Sequence, residues 1–350
     1  MKCPSYFFSI TNIYKNMKKI CFLLWALCWA CIWTGNAFAE LKKPLLTHEV
    51  TQVMNAPLSL DSEGAVASIV SPNNLVKGEV LKIGAIWHLI ASCKEEQVAD
   101  ITLGINLQDR PFSTQLTFDE VTLPVSVLKD YAVVHGKHSQ NYNEGNSITL
   151  SFKNITNALL KIEICAFNDG LAFRYIIPEE DTIQRQFLEE VTSYKLPTDA
   201  NRWLMNYVTS YEADFPLQKG EERQGAWGYP ALFQVGDVWA LITEAGIDGT
   251  YCGTHLDNSS IASCYRVSYP YSWEGNNTGE ANPKGTTPWA SPWRVVIMGS
   301  LGTIVESTMV QDVSPASKVK DTSWIEPGSS SWVYWAYNHE QRIINFVANM

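Results

Sequence analysis

Apolar residues at every second position, repeated through segment after segment, constrain this chain more than any other feature. Ile101, Leu103, Ile105 and Leu107 alternate with Thr102, Gly104 and Asn106, and Ile148, Leu150 and Phe152 alternate with Thr149, Ser151 and Lys153. The same period returns at Leu160, Ile162 and Ile164 against Lys161 and Glu163, and at Leu171, Phe173 and Tyr175 against Ala172 and Arg174. A period of two places alternate side chains on opposite faces of a strand, so each run predicts a strand with one buried and one wet face. Turn formers punctuate the runs at Pro72-Asn73-Asn74, Asn168-Asp169-Gly170 and Pro327-Gly328. Helical periodicity is nearly absent and no internal repeat is visible. Many one-sided strands joined by short turns predict a mainly β chain built as a large antiparallel sandwich.

The two ends read differently. Met17, Lys18 and Lys19 form a basic start, Ile20 to Trp33 an apolar run, and Ala37-Phe38-Ala39 a small-x-small site before Glu40. That pattern predicts a secretory leader, with residues 1–39 outside the fold and 1–16 an upstream extension. The run is shorter than the roughly 20 apolar residues of a spanning helix, so no stable membrane insertion is expected after cleavage. At the other end, DTSWIEPGSSSWVYW (321–335) carries a Trp-rich strand and EQRIINFVANM (340–350) places Ile343, Phe346, Val347 and Met350 on one helical face. A strand followed by a helix is the first unit of an α/β architecture, so a second domain is expected to begin there and to need completion beyond Met350.

Charge and cysteine usage narrow the function. The formal charge is −10, and removal of Lys2, Lys15, Lys18 and Lys19 with the leader makes it more negative. With no basic cluster to offset this, a nucleic-acid partner is excluded. Cys93, Cys165, Cys252 and Cys264 remain after the leader, without a CxxC pair or a histidine at zinc spacing, which argues against a thiolate metal site. Cys252 and Cys264 flank GTHLDNSS (253–260), which looks like a hairpin tip; a bridge in an oxidising compartment and two buried thiols are both open readings. His88, His135, His138, His255 and His339 show no mutual spacing that suggests a metal or a catalytic triad.

Tryptophan usage shifts near residue 200. Only Trp87 among the tryptophans after the leader comes earlier, and PYSWEGNNTGEANPKGTTPWASPW (270–293) mixes three of them with Gly, Asn and Pro. Sugar rings present C–H faces that stack on aromatics while amides and carboxylates take their hydroxyls, so such a loop suits a carbohydrate. Packing into the core is the competing reading for any single Trp.

Read together, SPNN (71–74), LGI (103–105), NDGLAFRY (168–175), EEVTSYKLP (189–197), SYEADF (210–215), SPWRVVIMG (291–299) and DTSWIEPGSSSWVYW resemble glycoside hydrolase family 97. The resemblance implies an exported, calcium-dependent α-glucosidase or α-galactosidase with three parts. These are an N-terminal β-supersandwich similar to the galactose mutarotase fold, a (β/α)8 catalytic barrel and a small C-terminal β-domain. On this basis residues 40–315 are expected to form the sandwich and residues 316–350 a linker and the first βα unit of an incomplete barrel. Glycoside hydrolysis needs a proton donor and a second carboxylate. The resemblance puts both on later barrel strands, beyond Met350, so the chain alone is expected to be inactive, with no catalytic residue of its own.

The same resemblance makes Glu212 a ligand to Ca2+ beside the substrate, with Asp214 its nearest competitor and an ordinary solvated acid the plain alternative. Calcium takes six to eight oxygens, so the remaining ligands are expected from the barrel. Trp332 and Trp335 either face a sugar subsite or fill the barrel core, and Trp293 is a further candidate for substrate contact. Arg174 is expected to be solvent-facing or salt-bridged, and Glu244 structural. The expected partner is an oligosaccharide and the expected location the periplasm. A free-standing carbohydrate-binding sandwich and a purely structural sandwich are the alternatives.

Overall fold

The computed structural model describes residues 64–326, apart from 209, 220–222, 275–279 and 281, together with 328–329. All of them belong to one compact unit, Gln52–Met350. The leader expected over residues 1–39, Pro327 and the strand and helix expected over residues 330–350, with Trp332, Trp335 and His339, lie outside the described residues.

The architecture is mainly β, and every strand pairing among the described residues is antiparallel. One eight-stranded sheet runs in the order Ala67–Val70, Val76–Ile83, Ile86–Cys93, Glu96–Leu103, Ser193–Lys195, Cys264–Ser268, His255–Asp257 and Ala226–Trp227. The larger, eleven-stranded sheet has Val238–Ala245, Trp293–Gly299, Gly170–Ile177, Leu159–Phe167 and Gln140–Lys153 as its consecutive middle strands. A four-stranded sheet carries Arg185–Glu190 beside Ile105–Leu107. Val76, Leu89 and Ile101 of the first sheet and Leu150, Ile162 and Phe173 of the second meet in one continuous apolar core. No described helix is long and apolar enough to cross a membrane.

Register follows the alternation. Strand Leu159–Phe167 pairs with Gly170–Ile177 so that Ile162 faces Tyr175 and Glu163 faces Arg174 across the Asn168-Asp169 turn. The inward set is Leu160, Ile162 and Ile164, fully buried, while Lys161 and Glu163 stay half-buried outside. That turn docks on the other asparagine turn: Asn73 donates its backbone N–H to Asn168 Oδ1 at 2.9 Å and its Nδ2 to the Asn168 carbonyl at 3.2 Å.

Two expectations need correction. Residues 101–107 are not one strand with a wet face: Glu96–Leu103 belongs to the eight-stranded sheet and Ile105–Leu107 to the four-stranded one. Gly104 makes the switch, because a Cβ there would lie 2.8 Å from Ser113 Cα and 2.9 Å from the Phe112 carbonyl oxygen. Thr102 is buried as well, between His88 and Ser193 on the neighbouring strands. The outer face of the large sheet is also dry at its centre. Helices α1 (Leu301–Glu306) and α2 (Met309–Val313) lay Ile304, Met309 and Val313 over Cys165, Ala172, Val295 and Ile297. Ser300 caps α1 by accepting the Thr303 N–H, worth about 1 kcal/mol. Trp293–Gly299 is therefore buried along its whole length.

All four described cysteines are free thiols. The hairpin near Cys264 exists, but its strands are His255–Asp257 and Cys264–Ser268, so its tip begins at Asn258, later than the spacing suggested.

Candidate functional site

Loops leaving one end of the sheets converge on a cluster of rings. Strand Asn201–Trp203 runs into a loop held by backbone bonds from the Tyr207 N–H to the Ala226 carbonyl (2.9 Å) and from the Gly228 N–H to the Met205 carbonyl (3.0 Å). Gly228 permits a close approach: a Cβ there would sit 2.6 Å from Met205 Cε and 3.3 Å from Tyr211 Cε1. Asn258, buried at the hairpin tip, fixes the neighbouring segment. Its Oδ1 accepts the Gly225 N–H and the Trp227 Nε1–H, both at 2.8 Å, and its Nδ2 donates to the Arg223 and Ala262 carbonyls.

On this base the rings pack in sequence. Tyr207 stacks on His255 with centroids 4.1 Å apart, and Tyr211 meets Tyr207 edge-on at 5.8 Å. Tyr271 lies 5.9 Å from Tyr207, and Trp273 stacks on Tyr271 at 5.4 Å with planes 14° apart. Glu274 ties the far side down, accepting the Tyr207 O–H and the Tyr271 N–H, each at 2.7 Å. Packing of this kind leaves the outer members open: Tyr211 is 47% and Trp273 53% exposed. His255 beneath them is buried, has no hydrogen-bond partner for either ring nitrogen among the described residues, and is pushed below the usual histidine pKa by burial.

Tyr211 adopts φ +54°, a left-handed conformation that a bulky residue adopts at a cost of order 1–3 kcal/mol. Its N–H closes a turn on the Val208 carbonyl at 3.0 Å, and the residue after it is Glu212. Glu212 and Asp214 both lie exposed on this loop, and among the described residues Glu212 is linked to its surroundings through its backbone N–H to Ser210 Oγ at 3.4 Å. A free carboxylate fits one oxygen position around calcium. No group of three or more His, Cys, Asp or Glu able to hold a metal exists among the described residues, so the loop does not form the six-to-eight-oxygen shell by itself.

Behind the rings lies a buried charge network. Arg294, fully enclosed, bonds Glu190 through Nε (2.7 Å) and Nη2 (2.5 Å) and Glu244 through Nη1 (2.5 Å). Glu190 also accepts the Tyr251 O–H, and Glu244 accepts both the N–H and the hydroxyl of Thr254. Burial opposes the guanidinium charge, but the two carboxylates overrule it and raise the Arg294 pKa. Glu244 is thus structural, as expected, and it pins Thr254, the residue before His255. Arg174 is salt-bridged to Glu163 at 2.7 Å, and its guanidinium covers the Trp293 ring at 4.4 Å. Trp293 sits 7% exposed in the second apolar cluster rather than beside the open rings.

The other candidates disperse. His88 pairs with buried Asp100, and His138 with Glu306. Burial pushes the Cys252 thiol up to about 12 and Cys264 to about 11, which keeps both protonated and poor nucleophiles. Tyr207, Tyr211, Tyr271 and Glu274 were not singled out by sequence. The Trp-rich polar stretch from residue 270 was the available signal, and it does not say which ring stays uncovered.

A family model described as the glycosyl-hydrolase 97 N-terminal domain matches residues 69–315. A probable retaining alpha-galactosidase of Streptomyces bingchenggensis is 29% identical over 211 residues, covering 60% of this chain and 31% of that protein. A retaining alpha-galactosidase of Bacteroides thetaiotaomicron is 24% identical over 226 residues, covering 56% and 33%. The chain therefore spans about a third of the curated relatives it matches. Among solved structures, a beta-arabinopyranosidase superposes with a TM-score of 0.69 at 24% identity, covering 73% of this chain and 44% of that one. A glycoside hydrolase family 97 enzyme from Pseudoalteromonas sp. strain K8, in complex with acarbose, superposes with a TM-score of 0.66 at 20% identity, covering 75% and 40%.

Proposed function

The chain belongs to the glycosyl-hydrolase 97 N-terminal family, and from that membership we propose that it is the sandwich portion of an exported, calcium-dependent glycoside hydrolase acting on α-glucosides or α-galactosides. The observation that supports this reading most is Glu212: an exposed carboxylate without a partner among the described residues, next in sequence to the strained Tyr211 and its ring contacts. A loop acid that served only solubility would gain nothing from that strain, whereas a ligand position requires a fixed direction.

In this reading the proton donor and the second carboxylate come from a catalytic barrel, together with the remaining calcium ligands, and Trp332 and Trp335 stand near the sugar. Calcium, when bound, supplies a positive charge that orients sugar hydroxyls. In the same reading Glu212 would offer one carboxylate toward it, with the Arg294 network as buried backing and the half-open rings beside the Tyr211 turn. Curated relatives named as alpha-galactosidases, and a structural neighbour holding acarbose, support an oligosaccharide as the partner.

The test is calcium titration of glycosidase activity in the enzyme carrying this domain and its barrel. Glu212→Gln is expected to weaken apparent calcium affinity at least tenfold, while the 350-residue chain alone binds the ion weakly. An unchanged calcium dependence in the variant contradicts the assignment.

A further inference from the structure

The exposed Trp273–Tyr271 stack has a geometry that the packing of the domain does not require. Trp273 lies parallel to Tyr271 and leaves half of its surface in solvent, although an indole of this size is among the side chains with most to gain from burial. The stack is nonetheless held firmly. Glu274 fixes the Tyr271 backbone with one carboxylate oxygen and the Tyr207 hydroxyl with the other, and Tyr207 is clamped in turn against buried His255. A flat, rigid, half-open aromatic step is preorganised for a flat partner, because no side chain has to be ordered on binding.

The surroundings define the chemistry of that partner. Glu274 sets a carboxylate beside the stack that accepts hydroxyl groups and repels anions, in a chain whose formal charge is −10. A pyranose has one face of C–H groups that meets the negative face of an indole, and a rim of hydroxyls that such carboxylates accept. An uncharged pyranose satisfies both; a uronic acid does not.

We propose that Trp273 and Tyr271 form a stacking subsite for a neutral pyranose unit of an oligosaccharide, with Glu274 as the residue that positions the stack. This rests on the reading of the chain as part of a glycoside hydrolase only for the identity of the sugars worth testing. The subsite itself belongs to the sandwich and functions without the barrel.

Calorimetric titration of the 350-residue chain with raffinose, melibiose, panose and maltotriose is the test, with glucuronate as the anionic comparison. At least one neutral oligosaccharide is expected to bind, Trp273→Ala to weaken it at least tenfold, Trp273→Phe to retain part of the affinity, and glucuronate to give no heat. Trp324→Ala, which removes an exposed indole outside the ring cluster, is expected to change nothing. Near-UV circular dichroism verifies that each variant is folded. Binding that survives Trp273→Ala unchanged, or no binding of any neutral sugar to the unmodified chain, overturns the subsite. Neither result touches the hydrolase reading, which stands or falls on the Glu212→Gln calcium titration.

Discussion

The Arg294 network and the Tyr207–Trp273 ring cluster use similar residue types to opposite ends. In the interior, Arg294, Glu190, Glu244, Tyr251 and Thr254 satisfy one another, and the polar groups are sealed between sheets. At the loop end, the rings and Glu274 are anchored on one side only, so that Tyr211 and Trp273 keep a free face and Glu212 stays exposed. Satisfaction on all sides produces stability, and satisfaction on one side produces a surface that can receive something. Stability and recognition should therefore respond to different substitutions.

The largest expected effect is in the interior. Arg294→Ala leaves Glu190 and Glu244 buried without their partner and should cost about 3–5 kcal/mol, measured by urea unfolding. Asn258→Ala should cost about 1–3 kcal/mol, because the Gly225 and Trp227 donors lose their acceptor, and the near-UV signal of Trp227 should change with it.

His255 links the two regions and predicts a pH dependence. Its folded pKa lies below the unfolded value of about 6.5, so the unfolded chain takes up the proton more readily. Stability from this group is present above about pH 6.5 and is lost as the pH falls. His255→Phe should flatten that part of the pH profile in thermal melts between pH 7 and 5.

Smaller effects belong to the surface. Removing Arg174 from its half-exposed pair with Glu163 should cost up to about 1 kcal/mol. Trp273→Ala should change stability by less than about 0.5 kcal/mol, since little apolar contact is lost there. A large destabilisation by that variant would erase the distinction between the two regions.

The sequence carried the sandwich well because alternation is a direct consequence of strand geometry: Leu160, Ile162 and Ile164 face inward as their spacing requires. Alternation likewise set Arg174 outside the core, where it pairs with Glu163. Gly104 defeated the pattern, since alternation persists through residues 101–107 while the backbone changes sheets. The covering of Ala172 and Ile297 by α1 and α2 was also hidden, because a wet face and a face dried by a later segment have the same period. Among tryptophans, Trp293 and Trp273 sit in the same Gly- and Pro-rich stretch, one enclosed under Arg174 and the other open. Only long-range contacts separate them.

Hydrogen exchange of the 350-residue chain, with and without a neutral oligosaccharide that it binds, tests the central comparison most directly. Backbone amides of Trp293–Gly299 and Arg185–Glu190 should exchange only near the global limit in both states, while those of 210–217 and 269–274 exchange faster and slow down when the sugar is added. Loop amides as protected as the central strands, with no change on sugar addition, would contradict the account.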